Sequence, residues 1–387
     1  MVGFLIAGTV AFGATTKQDV EFTTQDDTSS KVTVQVDGGE AKAITDTTDS
    51  ISVDQYLELV DTTSQPAGTL ATLLTVTTEN GVTTFAGIGD LGIVKATATT
   101  NGKLTLIKTD AAHTSITSKL TIEAKGDNTS SNEGTAMSAD GEGHTVTNDG
   151  TIDVKEYAVG MSAKNGGTAV NNAEKTITVN GTDAVGMSAT TKDGKTTILT
   201  NDGKITVTAG TGISVDGDGE AKVAFGETGT IAVENAAGNV GINIAGTGTT
   251  TVNGTEITLA GEGTGINAKG NVELEDIAIT LNGAGTGIVY TGETDTTVTT
   301  ANISTKGMTV GEGAAGITAT MSKAINSTLD ITTGSIETKH ASAIGIKITG
   351  TENSSVPSST EKSKYCYCNY YIRRNKRNWS RCNWSSK

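Results

Sequence analysis

The side chains able to do chemistry are few and scattered. His113, His144 and His340 stand far apart in a chain of 387 residues, each among Thr, Gly or Ser. His144 follows Asp140-Gly141-Glu142-Gly143, an order that can be drawn as a metal-ligand cluster but reads better as an exposed turn. Asp216-Gly217-Asp218-Gly219-Glu220 gathers carboxylates as hard cations require. It lacks both the EF-hand spacing and the nonapeptide repeat of calcium-binding β-rolls, so a turn is the reading here too. Cys366-x-Cys368 has no second pair to complete a zinc site. Lys125-Gly126-Asp127 is an integrin-type tripeptide by letters only. No Ser-His-Asp arrangement or nucleophile elbow is present.

A polysaccharide-cleaving β-helix would need an Arg or Lys base, clustered carboxylates and often aromatic platforms for sugar rings. Residues 1–356 contain no Arg, Cys or Trp, and their only tyrosines are Tyr56, Tyr157 and Tyr290. The sequence therefore predicts no catalytic residue, no cofactor-binding residue and no metal ligand. An enzyme of this kind stays the alternative reading.

Stepping along the chain exposes the scaffold on which these residues sit. Ala158-Val159-Gly160-Met161-Ser162-Ala163 is repeated at Ala184-Val185-Gly186-Met187-Ser188-Ala189. Weaker copies place glycine at Gly212, Gly241, Gly265, Gly287, Gly316 and Gly345, and Ala136 holds the slot before them all. The slots recur about every 26 residues, a period that marks a solenoid or array. Between them lie apolar i, i+2 pairs: Ile152/Val154, Ile177/Val179, Ile205/Val207, Ile231/Val233, Ile257/Leu259, Ile279/Leu281 and Met308/Val310. Flanked by Thr, each pair reads as a strand with one buried face. Asn148-Asp149-Gly150 and Asn201-Asp202-Gly203 are turn chemistry. No window carries a sustained helical stripe, so almost no helix is predicted.

No single unit can bury its own apolar edge, but stacking units places Ile over Ile and Val over Val in one core. The predicted fold is all-β, a parallel, right-handed β-helix with coils of about 26 residues. Eight steps at about 4.8 Å give a rod of about 40 Å. A trimeric left-handed β-roll is the competing architecture, with a shorter and stricter period.

Four regions follow. Residues 1–14 read as the apolar core of a secretory signal, with small residues at Ala11, Gly13 and Ala14 for cleavage but no preceding Lys or Arg. Residues 15–130 are less regular and are assigned as an N-terminal β cap, with strands at Lys31–Val36 and Lys103–Ile107. The latter resembles Lys204-Ile205-Thr206-Val207, and Leu91-Gly92-Ile93 reads as a degenerate slot. Tyr56–Val60 fits a strand or a helical turn. Residues 131–350 are the repeat solenoid. Residues 351–387 are a disordered tail of different composition, holding every Arg, Cys and Trp in the chain. From roughly 358 that tail is predicted to be out of frame: with A-rich codons, reading one base forward converts it into Thr-rich and then Gly/Ile-rich sequence.

Charge narrows the partners. Residues 361–387 are basic, and the remaining residues carry 20 basic and 42 acidic groups, near −22. Such a surface repels nucleic acid and anionic membrane. The Cys-free body suits a protein that crosses a membrane unfolded.

The Ala-Val-Gly-Met-Ser-Ala and Asn-Asp-Gly-x-Ile-x-Val repeats resemble the passenger repeats of autotransporter (type V secreted) surface proteins of Gram-negative bacteria, over roughly residues 130–350. The resemblance implies an adhesin-like passenger on the cell surface that binds a surface receptor or glycan, with no cofactor. It also implies a C-terminal membrane β-barrel. No barrel pattern is present, so a truncated passenger that inserts in no membrane is expected. A surface-layer or filament subunit is the third reading.

Overall fold

A computed structural model describes residues 17–24, 32–36, 42–44, 50–60, 70, 73–99, 102–127, 133–292, 299–321, 328–350, 366–368 and 382–384. The signal-like stretch 1–14 and most of the tail lie outside the described residues. The chain is nearly all β, 66% strand against 3% helix, and forms a parallel β-solenoid of about eight turns with coils of about 28 residues. The predicted class stands, with coils slightly longer than the sequence period suggests.

Each coil has three sides, and each side stacks on its counterpart in the next coil as a parallel ladder. Ladder A begins at Leu104–Lys108 and Gly134–Asp140, and ends at Ala315–Met321 and Ile344–Gly350. Ladder B runs from Val82–Gly87 through Thr145–Asn148 to Thr328–Thr333. Ladder C runs from Gln18–Thr24 and Leu91–Thr97 through Thr151–Val154 to Ile336–Thr338. Some strands turn a corner: Thr176–Thr191 and Lys204–Gly217 pass from C into A, and Asn271–Leu281 passes from B into C.

The register stacks like on like. Ile152, Ile177, Ile205, Ile231, Ile257 and Ile279 align in ladder C. Met137, Met161, Met187, Ile213, Ile242, Ile266, Ile288, Ile317 and Ile346 align in ladder A. Steps along this column vary from 22 to 29 residues, because the corners absorb insertions while the ladders do not.

The glycine slot has a steric cause. In ladder A the slot residue and its successor both face inward, so Gly241 and Ile242 are buried between half-exposed Val240 and Asn243. This breaks the period-two alternation in the manner of a bulge. A Cβ on Gly160, Gly186, Gly212, Gly241, Gly265, Gly287 or Gly316 would lie 2.5–2.6 Å from the carbonyl oxygen of the next coil's slot glycine. None of the seven adopts a left-handed φ. Space, and not backbone freedom, demands the glycine.

Ladder B carries a polar column inside the core. Asn148, Asn171 and Asn201 are fully buried. Asn148 Nδ2 donates to Asn171 Oδ1 at 2.8 Å, and Asn171 Nδ2 donates to Asn201 Oδ1 at 2.7 Å. The column is closed by Gly150 N donating to Asn148 Oδ1 and by Asn201 Nδ2 donating to Gly203 O. Asn148 and Asn201, read from sequence as turn residues, are with Asn171 inward-facing rungs whose satisfied amides let polar groups sit in an apolar core.

Several boundaries differ from the sequence reading. The parallel ladders reach back past residue 131 to Val82 and Leu91, so the coils start inside the region assigned as cap. Leu91-Gly92-Ile93 is no slot: it lies in ladder C against Gln18–Thr24, and Ile93 N donates to the Asp19 carboxylate. Leu104–Lys108 belongs to ladder A, with Leu106 in the slot, and does not correspond to Ile205–Val207. The mistake has one cause: both columns show apolar residues two apart beside Thr.

The cap itself joins Gln18–Thr24, Val32–Val36 and Lys42–Ile44 in antiparallel order, with Leu74–Glu79 antiparallel to Val82–Gly87. Tyr56 lies on a helix, Val53–Val60, opened by a capping box in which Ser52 and Gln55 exchange backbone-to-side-chain hydrogen bonds. Its ring packs edge-on to Phe22 and Phe85 at 5.5 and 5.0 Å, and its hydroxyl donates to Leu106 O at 2.7 Å. Burial raises the Tyr56 pKa well above its ordinary value. This aromatic cluster closes the first coil, as a solenoid end requires.

Candidate functional site

The residues considered for chemistry are placed at corners, where each is used by the fold. Asp110 accepts from the amides of Ala112 and His113 at 2.9 and 2.8 Å, and its Oδ1 lies 3.1 Å from His113 Nδ1. Partial burial opposes ionisation of Asp110, but these hydrogen bonds outweigh it and hold its carboxyl below the usual carboxylate range. Asp140 Oδ1 accepts from Asn165 Nδ2 at 2.7 Å. Together with Ser50, Ile51, Ser52, Lys108, Thr109 and His144 these two carboxylates line an open depression of about 350 Å³. His144 Nδ1 is buried there without a hydrogen-bond partner.

The carboxylate run at residues 216–220 is also a stacked corner. Asp218 Oδ1 accepts from Asp193 N at 2.9 Å, and Glu220 Oε2 accepts from Thr196 Oγ1 at 2.8 Å. The Thr196 hydroxyl first, then Lys222, lower the Glu220 pKa. His340 pairs loosely with Glu312 at 3.9 Å on the surface. Among the described residues no group of three or more His, Cys, Asp or Glu is placed to hold a metal ion. Tyr290 is buried and donates to Gly270 O at 3.0 Å, so neither it nor Tyr56 is a surface platform. Cys366 and Cys368 fall in a three-residue strand antiparallel to Ile346–Ile348.

What the coils do assemble is an uncharged strip on one side. Two of the outward rows of ladder A are uncharged across eight successive coils, until the second meets Lys108 at one end and Lys347 at the other. One row is Thr135, Val159, Val185, Thr211, Val240, Thr264, Thr286 and Ala315; the other is Ser138, Ser162, Ser188, Ser214, Asn243, Asn267, Val289 and Thr318. None of the sixteen is charged on a body near −22. The first two coils of the face are covered, since Thr135, Ser138, Val159 and Ser162 are all buried. From Val185 to Thr318 the rows are half-exposed. Those six coils span about 24 Å along the axis at ~4.8 Å per strand. Asn267 Nδ2 donates to Asn243 Oδ1 at 2.8 Å, which locks part of the second row.

Charged side chains border this strip. Asp183, Glu234, Glu262 and Glu312 are exposed at the corners leading into ladder A, and the opposite border mixes signs, with Asp216 and Lys269 both exposed there. Depletion of charge at the centre with a polar rim is the compositional mark of an interface. Ladder C lacks it, since Lys204 and Glu256 interrupt its outer rows. Ladder B is uncharged only from Val82 to Thr200, before Lys222, Glu273 and Asp330. The sequence reading sought reactive groups and so passed over a surface defined by their absence. The signal was present in the same repeat, at the residues on either side of each Gly-Ile or Gly-Met pair.

Compared with known protein families, characterised proteins and solved structures, the chain finds no match in any of the three.

Proposed function

We propose that this protein is an exported surface rod that acts by binding, an adhesin-like autotransporter passenger. The observation carrying this reading is the uncharged strip of ladder A between charged borders, the one at the corners leading into the ladder being acidic. Its β-branched methyls and its Ser, Thr and Asn groups offer contact area and hydrogen bonds to an uncharged partner. The net acidic body disfavours nucleic acid and anionic membrane. The partner is a neutral glycan or an uncharged patch of a cell-surface receptor. The body free of Cys, Arg and Trp and the resemblance of its repeats to type V secreted passengers place it outside the cell in this reading. No helix among the described residues is long and apolar enough to cross a membrane.

The test is binding of the purified chain to glycan arrays and intact cells, run beside turnover assays on pectin, hyaluronan and other acidic glycans. Saturable binding to an uncharged glycan or a cell surface, without turnover, supports the proposal. Turnover that is lost on mutating a carboxylate cluster makes the protein an enzyme and overturns it.

A further inference from the structure

We propose that the last coil ends in a docking edge for one more coil of the same repeat, and that residues from about 358 carry that coil's code one base out of frame. The first observation is steric. A Cβ added to any slot glycine from Gly160 to Gly316 would lie 2.5–2.6 Å from the carbonyl oxygen of the following slot. Gly345 alone has no such neighbour among the described residues; a Cβ there would meet only Ile336 at 3.5 Å and Thr338 at 4.0 Å. Glycine is kept where only a further coil would require it.

The second observation is direction. Every stacking step from coil to coil is parallel, yet Cys366–Cys368 lies antiparallel on Ile346–Ile348 and Cys382–Trp384 lies antiparallel on Leu329–Ile331. Ile336–Thr338 has no strand beyond it among the described residues. The described residues of the tail do not continue the parallel ladders.

The third observation is the genetic code. Read one base forward, TGG becomes GGN, so tryptophan becomes glycine whatever base follows. Cysteine, TGY, becomes GYN, alanine or valine. Tyrosine and asparagine, TAY and AAY, become AYN, which is threonine, isoleucine or methionine. Cys and Trp are absent from residues 1–356, and Tyr is rare there. The shift returns all three to the vocabulary of the repeat without any choice of codon.

Register supplies the fourth. Gly287 to Gly316 and Gly316 to Gly345 are both steps of 29 residues. The same step from Ile336 and Thr338 reaches Tyr365 and Tyr367, which shift to the Ile/Thr type of ladder C. From Gly345-Ile346-Lys347 it reaches Arg374-Asn375-Lys376. With codons AGG, AAT and AAA these shift to Gly-Ile-Lys, repeating the slot and its neighbours. One offset therefore fills two ladders.

Sequencing the coding DNA and its transcript through codons 345–387 tests this directly. The expected codons are TAT at 365 and 367, AGG or CGG at 374 and AAT at 375. Any other codon at 374 removes the slot glycine and overturns the proposal, as does ATA at 372 followed by AGA or AGG at 373, which reads TAA, a stop, in the shifted frame. A protein test accompanies it: deleting one base between codons 357 and 364 should give a chain that melts several degrees higher than the present one. Equal or lower melting overturns the proposal. So does concentration-dependent end-to-end association kept unchanged by the corrected chain, which would make a second copy the occupant of the edge.

Discussion

Replacing Gly241 by alanine probes the stack at its tightest point. The new Cβ would lie 2.5 Å from Gly265 O and 3.5 Å from Ile257 Cγ2. An ordinary carbon–oxygen contact needs about 3.3–3.6 Å, so two coils must part locally by roughly 1 Å or tilt a ladder carbonyl. Overpacking of this kind costs about 1–3 kcal/mol, concentrated at one interface between neighbouring coils. Gly238 is the control. It precedes the same strand, nothing lies within 4 Å of where its Cβ would stand, and its φ is not left-handed. Gly238→Ala should be neutral or should stabilise by about 0.4–1 kcal/mol, through the entropy of the unfolded chain. Urea and thermal unfolding followed by circular dichroism should separate the two variants, with Tm falling by roughly 2–4 °C per kcal/mol for Gly241→Ala. If both variants melt with the parent chain, the slot is not sterically closed and the reasoning fails.

Three further outcomes follow from the same geometry. Asn171→Ala leaves Asn148 Nδ2 and Asn201 Oδ1 without their rung partner, and should cost about 1–3 kcal/mol for each stranded group in denaturant titration. Ile205→Asp puts an unpaired carboxylate into a fully buried column and should cost about 3–5 kcal/mol; unchanged melting would mean that Ile205 does not face the core. Asp19 joins the cap to ladder C through Ile93 N and through Lys95 at 3.0 Å. The Ile93 amide first, then Lys95, lower its pKa, so its contribution is present at neutral pH and is lost as pH falls through the lowered value. The near-UV signal of the Phe22–Tyr56–Phe85 cluster should therefore weaken in acid, and Asp19→Asn should reduce that acid sensitivity.

Much of the fold was legible because a solenoid repeats its errors as well as its rules. Every Ile/Val pair and every slot glycine had seven or so chances to show its period, and the ladders align them as the spacing required. Single features fared worse. Asn148 and Asn201 sit before Asp-Gly and so look like turn residues; only the burial of all three rungs reveals a polar core column. The strand at Leu104–Lys108 resembles Ile205–Val207 in sequence yet lies in ladder A, because A and C share the same apolar period and differ only by the slot. The helix at Val53–Val60 carried a readable capping box, but its apolar residues are too few to set a helical stripe against a β background. The strip on ladder A could not be found by looking for reactive groups. It becomes visible only when the coils are laid in register and charge is followed down the stack.

The functional claim rests on that strip, and paired glutamate substitutions test it most directly. Val240→Glu with Thr264→Glu places two charges at the centre of ladder A; Thr206→Glu with Thr258→Glu places two on the outer face of ladder C. All four sites are half-exposed, so both double variants should fold, as circular dichroism can verify. Binding to the glycan or cell surface recognised by the parent chain should fall at least tenfold for the ladder A variant, about 1.4 kcal/mol, and stay within twofold for the ladder C variant. Equal binding by both variants, or loss confined to ladder C, would contradict the account.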